Sequence, residues 1–172
     1  MFLPLKRFAE FSGRSRRTEY WMFFLFQILL GVAFWVLLAI VGGGALMSGG
    51  DPTALAAAGG AIMIVTALYG LVSLALLIPA IAVTVRRLHD TNRTGKWLLA
   101  LVGAYVVMLV GTMMAASSPD NPGLGGVLAM VGGIAALILA IVLLVFMFLE
   151  GTRGPNNYGP DPKGENLDQV FA

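Results

Sequence analysis

The stretch VRRLHDTNRTGKW, Val85 to Trp97, gathers three arginines, a lysine, the chain's single histidine and an aspartate. The apolar runs on either side of it carry no charge. The whole chain is 172 residues, 58% hydrophobic and only 12% charged, against roughly a quarter charged in soluble domains. A soluble fold could not hide that much apolar surface. The flanking runs, Ala61 to Val85 and Leu98 to Ala116, are long enough to cross a hydrocarbon core of roughly 30 Å as helices. The quoted stretch is then the polar tip of a helical hairpin.

Two more such runs lie outward, Trp21 to Val41 and Leu124 to Leu149, and none of the four contains Asp, Glu, Lys, Arg or His. The expected fold class is an all-α integral membrane protein, a bundle of four transmembrane helices. Spans fall at 21–41, 61–85, 98–116 and 124–149; connections fall at 42–60, 86–97 and 117–123, with end segments 1–20 and 150–172. Strands are excluded because the runs lack two-residue alternation and exceed the roughly 9 to 11 residues of a membrane strand. In lipid a helix satisfies its own backbone hydrogen bonds. Cleavage of the first run as a signal peptide is not expected, because its apolar length exceeds the usual 7 to 15 residues or so.

The cations occupy alternate gaps. Lys6, Arg7, Arg14, Arg16 and Arg17 precede the first span, Arg86, Arg87, Arg93 and Lys96 fill the second connection, and Arg153 and Lys163 lie in the tail, which is the whole complement of 11. The other two connections hold only acids, Asp51 and Asp120. A cation costs about 2.5 to 3.5 kcal/mol at a helix centre, and positive residues in short loops stay cytoplasmic. The expected topology puts both ends and the 86–97 loop in the cytoplasm.

Small residues predict the packing. Gly125, Ala129 and Gly133 recur at four-residue spacing in the last run, with Gly132, Ala136 and Ala140 beside them; such residues let helices approach closely in lipid. They suit packing among the four spans more than self-association into a homo-oligomer. Pro79 removes a backbone bond from the second run, as a kink or as a tolerated lipid-facing proline. The Gly/Ala-rich connection 42–60 reads as a flexible loop, with a half-helix around Thr53 to Ala58. Behind Pro4, the spacing of Leu5, Phe8 and Phe11, with Phe2, suggests a short interfacial amphipathic helix. Tyr20, Trp21 and Trp97 stand where an aromatic belt anchors at headgroup depth.

Within the quoted stretch, Arg86 and Arg87 suit the negative end of the second span. Asp90 does not, so either the helix stops by Leu88 or an arginine holds the carboxylate: Arg14, Arg17, Arg86 or Arg87. An internal ion pair is the plainer expectation. Gly95-Lys96 is not a phosphate loop, which needs Gly where Asp90 stands and Ser or Thr where Trp97 stands. Asn92-Arg93-Thr94 matches a glycosylation acceptor but falls on the expected cytoplasmic side. A metal site is not expected from one histidine and no cysteine, and no cofactor is expected.

FSGRSRRTEYW (from Phe11), RRLHDTNRTGKW and GPNNYGPDP together resemble the three hallmark segments of the domain-of-unknown-function 805 family, the YhaH-like small bacterial inner-membrane proteins. The resemblance covers Phe11 to Pro162 and implies a four-helix protein of the bacterial inner membrane with no settled activity. Its motif residues fall here on Gly13, Arg14, Arg17, Glu19, Tyr20, Trp21, Arg86, Arg87, His89, Asp90, Gly95, Trp97, Asn157, Tyr158, Gly159 and Pro162. The family pattern has Ser-Gly-Trp where this chain has Thr94-Gly95-Lys96-Trp97. The Gly- and Pro-rich tail is stiff turn chemistry and can fold back under the spans. One cytoplasmic cluster is therefore expected, built from Arg14, Arg17, Glu19, Arg86, Arg87, His89, Asp90, Asn157 and Tyr158.

Two functions fit such a cluster. The first is binding: the arginines hold membrane lipid, anionic phospholipid in particular, or a protein partner, each basic residue near the surface contributing about 1 kcal/mol. The second is transport or catalysis on a lipid-linked or phosphorylated substrate, with His89 moving a proton. No ionisable group lies within the spans to serve a coupled transporter, and no nucleophile or paired carboxylates stand in an enzymatic arrangement. Binding without catalysis is the leading expectation. Nucleic acid is not an expected partner, because the basic residues flank spans.

Overall fold

The computed structural model describes residues 3–49, 51–118, 121 and 123–164; the expectations for Phe2 and Asp120 lie outside them. Every regular element among the described residues is a helix: α1 (Leu3–Lys6), α2 (Arg17–Met47), α3 (Pro52–Asp90), α4 (Lys96–Ala116) and α5 (Gly123–Phe148). The four helices α2 to α5 are long and apolar enough to cross a membrane, and they contain the four expected spans.

The connection expected at 42–60 is almost entirely helical. α2 runs on to Met47 and α3 starts at Pro52, so Gly42–Gly44 and Gly59–Gly60 sit inside helices. Each glycine costs about 1 kcal/mol against alanine. Backbone groups left unsatisfied in an apolar environment cost several kcal/mol each, and the helix wins. α3 has a sharp start: Asp51 Oδ1 accepts from the Thr53 amide at 2.9 Å and its Oδ2 from the Thr53 hydroxyl at 2.8 Å, with Pro52 at the first helical position. The amino-terminal helix is shorter than expected. It is one turn, and beyond it Arg7 and Glu10 form an ion pair while Phe8 and Phe11 are exposed.

The chain divides into two compact units. The first holds most of α2 and the part of α3 up to Val83. Phe34 of α2 stacks on Tyr69 of α3, centroids 4.1 Å apart. Outward aliphatic and aromatic side chains cover both helices, Trp35 at 69% and Leu71 at 65% exposed, as a hydrocarbon solvent requires. Pro79 is fully buried, so it is not the lipid-facing proline the sequence allowed.

The second unit comprises residues 11–17 and the chain from 84 onward. Its framework is the α4–α5 hairpin. A Cβ on Gly111 of α4 would collide with the backbone at Ala129, and a Cβ on Gly125 or Gly132 of α5 with the backbone at Ala115 or Met108. With Ala136, Leu143 and Met147 also buried, the α5 seam repeats at four- and three-residue steps, the spacing of left-handed knobs-into-holes packing. It draws Gly125 and Ala129 from one expected small-residue stripe and Gly132 and Ala136 from the other. Gly133 and Ala140 flank it, half-buried.

Candidate functional site

The second unit carries most of the charged residues. α3 continues to Asp90 and ends in a Schellman turn: the Arg93 amide donates to Leu88 O at 2.9 Å and the Asn92 amide to His89 O at 3.0 Å. Asn92 takes the left-handed conformation (φ 56) that such an ending needs. The helix therefore does not stop at Leu88, and Asp90 must be held by cations.

Two arginines hold it. Arg14 Nε donates to Asp90 Oδ1 at 2.9 Å, and Arg87 Nη1 donates to Oδ2 at 2.5 Å. All three are buried: Arg14 is 6% exposed, Arg87 0% and Asp90 5%. A buried carboxylate between two guanidinium forks repays its desolvation only when the remaining donors also find acceptors. Here most of those donors find backbone carbonyls. Arg14 Nη1 donates to Gly154 O at 2.6 Å and its Nη2 to Thr152 O at 2.5 Å. Arg87 Nη2 donates to Leu149 O, one of the carbonyls that α5 leaves open at its end.

The tail folds back onto this ion triad. The Thr152 amide donates to Asp90 O at 2.8 Å. Gly151 lies so close to the Asp90 carboxylate that no side chain fits there. Asn156 Nδ2 donates to His89 O at 2.9 Å and to the Thr152 hydroxyl at 2.8 Å, and its Oδ1 accepts from the Tyr158 amide at 2.9 Å. Tyr158 stacks flat on His89, centroids 3.9 Å apart and planes 5° from parallel. His89 Nδ1 lies 3.2 Å from Gly13 O and donates to it in the protonated-Nδ1 tautomer. His89 stands beyond the apolar run that ends at Val85. Burial pushes its imidazole pKa below the usual value, against a smaller opposite effect of the Gly13 carbonyl.

The segment before α2 is tied in by the Ser15 amide, which donates to Arg86 O at 3.1 Å; Arg86 itself is fully buried. Arg17 Nη1 donates to Phe148 O at 3.0 Å and Nη2 approaches Glu150 at 3.4 Å. Glu19 lies in the first turn of α2, where a carboxylate suits the helix's positive end. Tyr20 and Trp21 make an edge-to-face pair at 5.3 Å on α2. Trp97 meets Phe146 edge-on at 5.3 Å, with the Arg93 guanidinium over the same ring at 4.0 Å.

Arg14, Arg87, His89, Asp90 and Tyr158 thus share one network. Asn157 does not join it: its side chain is exposed, and Asn156 makes the amide contacts. Sequence reasoning also missed Thr152 and Gly151. The Gly-Thr pair directly after the end of α5 was the available signal.

Beside this clasp of ion triad and folded-back tail lies a pocket of about 220 Å³, lined by the cations Arg16, Arg153 and Lys163, the acids Asp90, Glu150 and Asp161, and by Gly151, Thr152 and Pro162. Asp161 organises its far wall, accepting from the Gly154 and Lys163 amides, each at 2.9 Å. Those two bonds hold its carboxyl below the usual carboxylate range. Arg16 Nε donates to Pro162 O at 2.7 Å.

Fold and site together define an integral membrane protein with four membrane-capable helices and a charged end locked by a buried Arg–Asp–Arg triad. The chain belongs to the family described as protein of unknown function DUF805, which it matches over residues 8–160. It is 32% identical to inner membrane protein YhaI of Escherichia coli strain K12 over 159 residues, 92% of this chain and 91% of that protein. It is 29% identical to inner membrane protein YhaH of the same strain over 161 residues, 94% of this chain and 93% of that one. The uncharacterized protein YiiR of that strain is 35% identical over 86 residues, half of this chain and 54% of that protein. No solved structure matches the chain significantly.

Proposed function

We propose that this chain is a non-enzymatic membrane protein that binds phospholipid headgroups at its basic end, which the charge distribution marks as cytoplasmic. What supports the reading is a division of labour among the arginines. Arg14 and Arg87 are buried and spent on Asp90 and on backbone carbonyls. They position the tail rather than meet a ligand. Three exposed cations, Arg16, Arg153 and Lys163, instead line one pocket just past the end of α5. His89, packed between Tyr158 and Gly13 O, serves this scaffold better than proton transfer.

The test is native mass spectrometry from mild detergent, comparing the wild type with the Arg16→Gln/Arg153→Gln/Lys163→Gln variant. With each surface cation contributing about 1 kcal/mol, co-purified phospholipid falls by about ten-fold or more while the thermal midpoint holds. Undiminished lipid in the triple variant overturns the reading. Loss of a co-purifying protein instead of lipid replaces it with partner binding.

A further inference from the structure

The pocket beside the clasp carries both signs of charge, and that balance is informative about its ligand. A site built for a simple anion gains nothing from three carboxylates, and one built for a simple cation gains nothing from three basic side chains. Their remaining capacities differ. Both Asp161 oxygens accept backbone amides, and both Asp90 oxygens accept arginines. Glu150 is engaged only loosely, by Arg17 at 3.4 Å and Arg153 at 3.8 Å. On the basic side, the Lys163 ammonium makes no hydrogen bond or ion pair among the described residues and only a longer-range attraction to Asp161, and Arg16 spends two of its three nitrogens on the single acceptor Pro162 O. The pocket therefore offers one under-used carboxylate and two under-used cations.

Size and depth narrow the class further. A volume of about 220 Å³ gives room for one small headgroup. Glu150 is the first charged residue after the apolar α5 run, which sets the pocket at headgroup depth.

We infer that the pocket takes a zwitterionic group joining a phosphodiester to a primary ammonium: the phosphoethanolamine headgroup of a lipid, or the same group on water-soluble glycerol. Lys163 and Arg16 receive the phosphate oxygens, and Glu150 accepts hydrogen bonds from the ammonium. A primary ammonium donates three such bonds. A trimethylated choline donates none, and a glycerol headgroup brings no positive charge. This inference rests on the headgroup reading above and gives it a substrate class.

The experiment is competition for the full-length protein in detergent, read by native mass spectrometry, among phosphatidylethanolamine, phosphatidylcholine and phosphatidylglycerol of matched chains. Phosphatidylethanolamine is retained about ten-fold over each of the others, the size of one charged contact. Glu150→Gln removes that preference without lowering total bound phospholipid, Glu150→Asp keeps most of it, and Lys163→Gln weakens all three lipids. Displacement by soluble glycerophosphoethanolamine assigns the free headgroup as a ligand; lack of displacement assigns the lipid, and both support the chemistry. Equal retention of the three lipids, with the triple cation variant still losing them, overturns the zwitterion and leaves headgroup binding standing. Full retention in the triple variant overturns both.

Discussion

Asp90 is where sequence logic and observed structure pull hardest against each other. A carboxylate at a helix's negative end is unfavourable, and one that is 5% exposed more so. It is tolerated because two guanidinium groups reach it and most of their other donors meet carbonyls at the end of α5 and in the tail. Asp90→Asn keeps the shape and removes the charge, leaving two buried arginines without their counter-ion. The expected loss is about 3 to 5 kcal/mol, read as a lowered thermal midpoint in detergent and faster proteolysis after Gly151. Arg14→Lys keeps the charge and loses the planar fork that spans Asp90, Thr152 and Gly154. It should free the tail with a smaller drop in midpoint than Arg14→Ala. Asp161 gives a pH dependence. Its pKa is lowered in the folded chain, so its contribution to the turn is complete above the ordinary aspartate value of about 3.9 and is lost as pH falls through the folded value. After correction for intrinsic rates, hydrogen exchange should show the Gly154 and Lys163 amides protected at about pH 5 and losing protection at a pH well below the ordinary aspartate value. In Asp161→Asn both amides should be open at either pH.

The helices divide between two jobs. α2 and the membrane part of α3 present apolar side chains outward, and substitutions among them should be forgiving. α4 and α5 meet backbone to backbone, and the glycines at the contact are there because nothing larger fits. Gly132→Val and Gly111→Val should each cost about 1 to 3 kcal/mol by forcing the pair apart. A Cβ on Gly103 would meet nothing within 4 Å, so Gly103→Ala should be neutral or gain up to about 1 kcal/mol from helix propensity. Thermal midpoints of the three variants, measured side by side, check the seam. If Gly103→Ala destabilises as much as Gly132→Val, the close approach is assigned to the wrong face.

Threading of the chain through the bilayer follows from charge. The protein has no cysteine, so single-cysteine reporters work without background. Thr94→Cys should react with an impermeant maleimide only from the cytoplasmic side and Ser48→Cys only from the outside. The reverse pattern would invert the topology and move the proposed headgroup site to the other leaflet. Much of the architecture was legible beforehand because a membrane span is a local property: each apolar run closes its own hydrogen bonds and its solvent is lipid. In the 42–60 connection the half-helix expected around Thr53 to Ala58 lies within α3, but the rest was misread as a loop for a related reason. Glycine and Asp-Pro signal turns in water, whereas here Asp51 serves as a helix cap and the glycines remain inside helices.

The amino-acid sequence by itself determined the helices, the number of spans and the concentration of charge into alternate gaps, since those depend on composition over one segment at a time. Only the tertiary structure decided which arginines are buried, which asparagine joins the network and which small residues form the seam. Arg14 and Asp90 are 76 positions apart and Asn156 and His89 are 67 apart. Whether a guanidinium is an internal strut or an exposed contact depends on what the folded chain brings within about 3 Å of it, and no local pattern carries that distance.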